Sequence, residues 1–430
     1  MEFSAKQAEA IDVSCNVDNR VAAITGAAGT GKTTILKKVY EDLVANGYNV
    51  MLTSPTGKAA KRIFEATGIE ARTIHRALKY SHPGDPDPKT GKPAGFSYPT
   101  YCRANPIRDD NDELIDVLLA DEYAMVNSEV HRSVFDALPN GACIRTFGDN
   151  NQLQPIEEDK RLQGQPSPFL QLLNNDKFPS VTLDVVHRQG QDSGILTNLQ
   201  QILRARMPTR NDQWAQKITD QPVKELADYI FEMQDDGVDF SQLQHQIIVP
   251  QKTSWVGTYK LNAMVQGLFH NKTDPSILIP RHQWDEGING EKGGNIRMFV
   301  GDKVIFMQNN YNLGVFNGET GIIIEIEQET GEVVVDFGDR EQAFPPILMV
   351  MNRHGREVAI DPRKDLQLAY AITTHKSQGS EYESVVYILN KSNSYMINRR
   401  NFYTACSRAK ERVMLFADQR GLAQAVQKRE

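Results

Sequence analysis

The nine residues Gly26-Ala27-Ala28-Gly29-Thr30-Gly31-Lys32-Thr33-Thr34 leave the first part of this chain little conformational freedom. They lie between an apolar run, Val21-Ala22-Ala23-Ile24, and an amphipathic one, Ile35-Leu36-Lys37-Lys38-Val39-Tyr40. That order predicts a buried strand, a glycine-rich turn and a helix. Gly26 and the triplet Gly31-Lys32-Thr33 have the spacing of a loop that wraps phosphate. Glycines let the backbone curl until successive N–H groups point inward. The helix that starts there adds its positive end. Lys32 can reach the β- and γ-phosphates, and the Thr33 hydroxyl can sit on Mg²⁺. A ligand-free glycine turn is the plain alternative, and the strand and helix flanks argue against it. Residues Gly26 to Thr34 are read as the nucleotide-binding loop.

At 430 residues the chain has room for two or more domains. Hydrophobic residues at 40% and charged residues at 24% place it in the soluble globular class. No apolar run approaches a membrane span, and Met1-Glu2-Phe3-Ser4-Ala5-Lys6 lacks the apolar centre of a signal peptide. The four cysteines are scattered without a CxxC pair, which speaks against a zinc site or a disulfide framework. A cytoplasmic, reducing compartment and no membrane partner are expected. The net charge of −7 argues against coating nucleic acid through bulk positive charge. It leaves open a local basic channel, which whole-chain charge does not see.

Before the loop, Phe3 to Ile11 reads as a helix capped by Ser4, with Gln7 able to donate and accept at once, as an adenine edge requires. A Gln on a helix is otherwise simply solvated. Asn49 to Ser54 reads as a second buried strand running into Pro55-Thr56-Gly57-Lys58-Ala59-Ala60-Lys61-Arg62. Ligands of open α/β sheets bind at such carboxyl ends, and Thr56 with backbone N–H groups can hold a phosphodiester. For Lys61 and Arg62 an exposed basic face serves equally well. Ala71 to Leu78, with His75, is another polar turn entering a helix. Tyr80 to Pro106 holds six prolines and cannot be helical. It reads as a stiff excursion, a hairpin or a surface loop, with Tyr80, Phe96, Tyr98 and Tyr101 available for base stacking or for packing on their own domain.

Leu114 to Ala120 is an apolar strand ending in Asp121-Glu122. Beside a phosphate loop, Asp121 can hold the Mg²⁺ shell and Glu122 can take a proton from attacking water. Cys143 to Phe147 is a further strand, followed by Gly148 to Pro155, where Gln152 can sense a γ-phosphate. Arg188 follows Val181 to Val186 and points into a cleft or makes a structural ion pair. Gln191 to Gln244 reads as helices, Gln246 to Pro250 as a strand, and Thr253 to Leu268 as helical. From Val300 the texture changes to short strands, with a hairpin of Gly321–Glu327 and Glu332–Phe337, which suggests a small barrel. After Asp361 the α/β texture returns, with Thr373 to Glu381, a strand Ser384 to Leu389, a helix Asn401 to Lys410 and a last strand Val413 to Phe416.

Taken in order, these motifs resemble superfamily 1 helicases of the RecD and Dda branch over nearly the whole chain. The resemblance rests on Gln7, Gly26–Thr34, Pro55–Ile63, Thr73–Leu78, Asp121-Glu122, Gly148–Pro155 and His187-Arg188-Gln189. It continues in Thr373–Glu381, Tyr403–Lys410, and Gly301-Asp302-Lys303-Val304 with Asn317-Gly318-Glu319-Thr320-Gly321. Tyr123-Ala124 departs from the small-residue pair common after the two carboxylates. The resemblance leads one to expect the compact form of phage-type enzymes, without the further N-terminal domain of some members. The resemblance implies an α/β fold of two RecA-like P-loop NTPase domains, a pin insertion in the first and an SH3-like β-barrel in the second. It divides the chain into 1–79 and 111–190 for the first domain with a pin at 80–110. The second domain takes 191–295 and 363–430, with the barrel at 296–362.

The resemblance further implies ATP between the domains, Mg²⁺, single-stranded or forked DNA as partner, and movement from 5′ to 3′. Lys32, Glu122, Gln152, Arg188 and Arg408 would act on the phosphates, Thr33 and Asp121 on the metal, and Gln7 and Glu381 on adenine and ribose. Pro55, Thr56, Lys58, His75, Phe96, Tyr98, Thr374, His375 and Lys376 would face DNA. Replication or repair, in a bacterial or phage-infected cell, is the expected setting, with a single-strand binding protein or a replisome or recombination factor as companion. A translocase that strips proteins but unwinds poorly, an RNA-directed helicase and a non-hydrolytic nucleotide-gated module are the competing readings. Glu122 with the two arginines speaks against the last.

Overall fold

A computed structural model describes residues 3–80, 99–157, 159–185, 193–271, 273–282, 293–310, 312–351, 357–393 and 395–428. These form two compact units, one within residues 3–185 and one within 193–428. The first contains β1 (Val21–Gly26), β2 (Val50–Ser54), β3 (Arg72–Thr73), β4 (Val117–Ala120), β5 (Cys143–Gly148) and β6 (Ser180–Leu183). They form one sheet in the order β3-β2-β4-β5-β1-β6, every pair parallel. Its helices are α1 (Ala5–Cys15), α2 (Lys32–Ala45), α3 (Gly57–Thr67), α4 (Ile74–Ala77), α5 (Ser128–Ala137) and α6 (Pro168–Leu173). β1, β4 and β5 are buried at every residue, as central strands covered on both faces must be. Ile35, Leu36, Val39 and Leu43 form the stripe that α2 buries.

The second unit runs α7 (Gly194–Leu203), β7 (Trp214–Ile218), α8 (Pro222–Asp235), β8 (His245–Val249) and α9 (Thr258–Phe269). Short strands follow: β9 (Ser276–Pro280), β10 (Asn295–Phe299), β11 (Lys303–Phe306), β12 (Thr320–Ile326), β13 (Val333–Asp336) and β14 (Glu341–Phe344). After β15 (Leu348–Met351), β16 (Glu357–Ile360) and β17 (Leu366–Leu368) come β18 (Ala371–Thr373), β19 (Tyr382–Leu389), α10 (Arg399–Cys406), β20 (Ala409–Ala417) and α11 (Gln419–Gln427). A second parallel sheet has the order β18-β8-β19-β20-β7. The expected small β module is a five-stranded antiparallel sheet, β14-β13-β12-β11-β17, with hairpins β9–β10 and β15–β16. Its core of Val304, Phe306, Ile323, Val333, Val335 and Phe344 also takes in Ile279 and Leu366, from either side of residues 296–362.

The α/β class and the two parallel sheets agree with the sequence expectation. Two elements differ. β7 lies inside the stretch read as helical: four of its five residues are half-buried or exposed, so its apolar signal is nearly confined to fully buried Trp214, as on a sheet edge. The helix expected to continue to Lys410 stops at Cys406. Ser407 caps it, Arg408 sits in the turn, and Ala409 already belongs to β20.

The excursion at Tyr80 to Pro106 is closed at its base. Tyr80 and Pro99 form an antiparallel bridge, and the Thr100 N–H donates to the Leu78 carbonyl over 3.2 Å. Tyr101 packs in the first unit's core, with Lys79 Nζ 4.8 Å from its ring centroid, so it is a core residue and not a stacking platform. Phe96 and Tyr98 lie outside the described residues.

Candidate functional site

Three neighbouring strands of the first sheet deliver their C-terminal ends to one edge. β1 ends in the phosphate loop, β5 in Gly148-Asp149, and β4, next to β5, in Asp121-Glu122. Gly29 and Gly31 have φ of 82° and 84°, which β-carbon-bearing residues avoid. At Gly26 a Cβ would stand 2.4 Å from Thr30 Oγ1 and 3.0 Å from Leu183 Cβ. No side chain caps α2, so its first N–H groups face the loop with the dipole behind them. Lys32 Nζ folds back onto the carbonyls of Gly26 at 2.8 Å and Ala27 at 3.0 Å.

Asp121 is buried. It accepts from the Glu122 N–H at 2.8 Å. Burial, and then the charge of Glu122, raise its pKa to about 6, while the Glu122 N–H, Lys32 and Arg62 pull the other way. Glu122 takes the left-handed conformation, φ 51°, and its Oε2 is buried without a hydrogen-bond partner. Two adjacent carboxylates, one unsatisfied and one pushed toward protonation, fit a cation arriving with its own ligands. Among the described residues no group of three His, Cys, Asp or Glu side chains can hold a metal alone. Gln152 is buried beside Asp149, its Nε2 3.5 Å from Asp149 Oδ2.

Gln7 occupies the third position of α1 and completes a capping box with Ser4. Its Nε2 donates to the Thr30 carbonyl over 3.2 Å, and its Oε1 accepts from the Ser4 N–H over 3.0 Å. Arg145 is a residue the sequence reading missed. It lies fully buried in β5 and donates to the carbonyls of Ser14 (2.6 Å), Asn19 (2.7 Å) and Asn16 (2.8 Å). These include orphan carbonyls at the end of α1, so Arg145 pins that helix to the sheet.

Thr56 caps α3, accepting from the Ala59 N–H at 3.2 Å, and Pro55 and Lys58 beside it are half-buried. His75 opens α4 and lies 4.6 Å from the Tyr80 ring; burial lowers its pKa.

In the second unit the turn after β18 is held from inside. Thr374 is fully buried and its hydroxyl donates to Asn401 Oδ1 at 2.6 Å, which also accepts from the Tyr387 hydroxyl at 2.7 Å. Its side chain therefore supports the turn, and His375 and Lys376 are the more exposed pair. Burial lowers the pKa of His375. Arg408 is buried against the Thr404 carbonyl (Nε, 3.2 Å) and the Ser380 carbonyl (Nη1, 3.4 Å). Glu381 Oε2 lies 3.6 Å from Lys410 Nζ. Arg188 lies outside the described residues.

The Gly301-Asp302-Lys303 motif seats the small sheet on the parallel one. Lys303 Nζ donates to the carbonyls of Gln242 (2.8 Å) and His245 (2.5 Å). Asp302 accepts from the Tyr370 hydroxyl (2.8 Å) and Gln266 Nε2 (2.6 Å). Between the two modules runs a cavity of about 400 Å³. Lys252, Arg281, Arg297, Lys364 and Lys376 line it together with Tyr259, and no described lining residue is acidic. In a chain of net charge −7 that is a local inversion of sign. Four of the five cations escaped the sequence reading because they are scattered along the chain between Lys252 and Lys376.

Residues 2–218, half of the chain, match the AAA-domain family model. The chain belongs to that family, and it is similar to the RecD-type helicases of superfamily 1. Residues 261–337 match the ATP-dependent RecD-like DNA helicase SH3 domain, and residues 368–416 match the UvrD-like helicase C-terminal domain. The ATP-dependent RecD2 DNA helicase of Deinococcus radiodurans is 29% identical over 413 residues, 95% of this chain and 48% of that protein. The conjugal transfer protein TraA of Agrobacterium fabrum is 27% identical over 94% of this chain and 32% of that protein. The chain thus spans about half, or less, of these relatives. The fold matches that of a Bacteroides Pif1 helicase in complex with ADP-AlF3 and single-stranded DNA. That match has a TM-score of 0.56 and 20% identity, and covers 96% of this chain and 92% of that one. Among the described residues no helix is long and apolar enough to cross a membrane.

Proposed function

We propose that this protein is an ATP-dependent DNA helicase that moves along single-stranded DNA from 5′ to 3′ and unwinds duplex ahead of it. One observation carries the ATP-hydrolysing core of the reading: the phosphate loop and the buried Asp121-Glu122 pair meet at the same sheet edge; the 5′ to 3′ direction rests on the family resemblance. The loop N–H groups and Lys32 bind the phosphates. Asp121 and Thr33 would hold Mg²⁺, which when bound shields phosphate charge. Glu122 takes the proton of the attacking water. Gln152 links the γ-phosphate to the DNA side, and Gln7 and Glu381 hold adenine and ribose. Arg188 and Arg408 add positive charge to the transition state, which in related phosphoryl transfer is worth roughly 10³–10⁵ in rate.

Pro55, Thr56, Lys58, His75, Phe96, Tyr98, His375 and Lys376 are the proposed strand contacts, with Thr374 behind them. The solved Pif1 complex with single-stranded DNA supports a strand as ligand. The test is ATP hydrolysis without nucleic acid, with single-stranded DNA and with single-stranded RNA, followed by unwinding of duplexes carrying a 5′ or a 3′ tail. DNA-stimulated hydrolysis and unwinding only from the 5′ tail are expected. Stimulation by RNA alone removes the DNA reading, unwinding from the 3′ tail removes the polarity, and stimulation without unwinding selects the translocase.

A further inference from the structure

We propose that Asn317 is a positioning residue for the strand: it holds the Lys376 ammonium on the wall of the cationic cavity, so that the parallel-sheet module and the small antiparallel sheet grip one phosphodiester together. This rests on the strand-binding reading above. Lys376 Nζ donates to Asn317 Oδ1 over 2.7 Å, between residues 59 apart in sequence. Both ends are anchored through the backbone. The Asn317 N–H donates to Asn309 Oδ1 at 2.9 Å. The Gly318 N–H donates to the Phe306 carbonyl at 2.8 Å. At the other end the Lys376 N–H donates to Thr373 Oγ1 at 3.3 Å. Asn317 thus occupies one of the three N–H donors of the ammonium and leaves the others for an anion.

The chemistry of the partner matters. A neutral amide orients the ammonium without cancelling its charge, whereas a carboxylate would compete with phosphate for it. Lys252, Arg281, Arg297 and Lys364 share the cavity. The nearby carboxylate of Asp365 is paired with His282 at 2.8 Å. Burial, and then the charge of Lys252, push the Lys376 pKa down to about 8. A phosphate beside the two ammoniums would offset that repulsion. Above about pH 8 Lys376 loses its charge and with it part of its attraction for the strand.

The experiment measures binding of a fluorescent single-stranded oligo-dT to the full chain at fixed salt, at pH 7 and pH 9. The proteins compared are the wild type, N317A, N317S, K376A, N317A/K376A and K376R. At pH 7, N317A and N317S should each weaken binding by about 3–10-fold, the range of one hydrogen bond, and the double variant should bind no worse than K376A. Wild-type affinity should fall between pH 7 and 9 more than that of K376R, whose guanidinium stays charged. Wild-type affinity in N317A, losses that multiply in the double variant, or a K376R curve parallel to the wild type would each overturn the proposal. A wild type that ignores the oligonucleotide at both pH values removes the strand reading itself.

Discussion

The side-chain amide of Gln7 donates to the backbone carbonyl of Thr30 over 3.2 Å, tying the first helix to the phosphate loop. The same residue closes the capping box with Ser4, and Arg145 clamps the far end of that helix to β5. A residue read as an adenine contact is therefore also a strut for the loop.

The strut makes a prediction. Gln7→Glu keeps an acceptor for the Ser4 N–H but sets a carboxylate against the Thr30 carbonyl. Its KM should rise several-fold for GTP as well as for ATP, because the loop is displaced whatever the base. Gln7→Ala should also lose about 1 kcal/mol of stability, the usual loss at a cap. A KM change confined to ATP would show that Gln7 reads the base and does not brace the loop.

Glu122→Gln should leave nucleotide affinity close to wild type and reduce turnover by about 10²–10⁴, since an amide takes no proton. The motive is its buried, unpartnered Oε2 beside Asp121. Equilibrium binding of a fluorescent ATP analogue with single-turnover hydrolysis checks it. Hydrolysis near the wild-type rate would take Glu122 out of the role of base.

Asp121 carries a pH prediction with a definite sign. Its folded pKa, about 6, lies above the ordinary 3.8. The folded state therefore holds a proton that the unfolded state has released between those values. Ionised Asp121 destabilises the nucleotide-free fold above about pH 6, and the penalty disappears as pH falls toward 4. Asp121→Asn should stabilise the nucleotide-free protein by about 1–3 kcal/mol at pH 7.5 and lose most of that advantage at pH 4.5. It should also lose Mg²⁺-dependent hydrolysis. Thermal unfolding at the two pH values is the measurement, and an equal gain at both would contradict the assignment.

Arg408→Ala should lower kcat by about 10³ or more and change KM little, as expected of a charge wanted in the transition state. Arg408→Lys should not restore the rate, because one ammonium cannot meet the Thr404 and Ser380 carbonyls and a phosphate with the same fork. A raised KM with unchanged kcat would reduce Arg408 to a structural residue.

Local chemistry made much of this protein legible from its sequence. The strand, glycine turn and helix around Gly26 to Thr34 are dictated by neighbours in the chain, and so are the apolar strand before Asp121 and the hairpin flanking Gln328–Gly331. Each signal is contained in a few consecutive residues whose period or backbone freedom admits one conformation. What the sequence left undetermined depends on residues far apart in it. β7 is a strand because it pairs with β20, although most of its own residues are half-exposed. Arg145 serves α1 from about 130 residues away. The cationic cavity gathers Lys252, Arg281, Arg297, Lys364 and Lys376 only when the small sheet settles on the parallel one. Lys376 meets Asn317 because two turns, each fixed by its own backbone hydrogen bonds, come to rest 2.7 Å apart. Periodicity and spacing report on neighbours along the chain, and these contacts exist only across it.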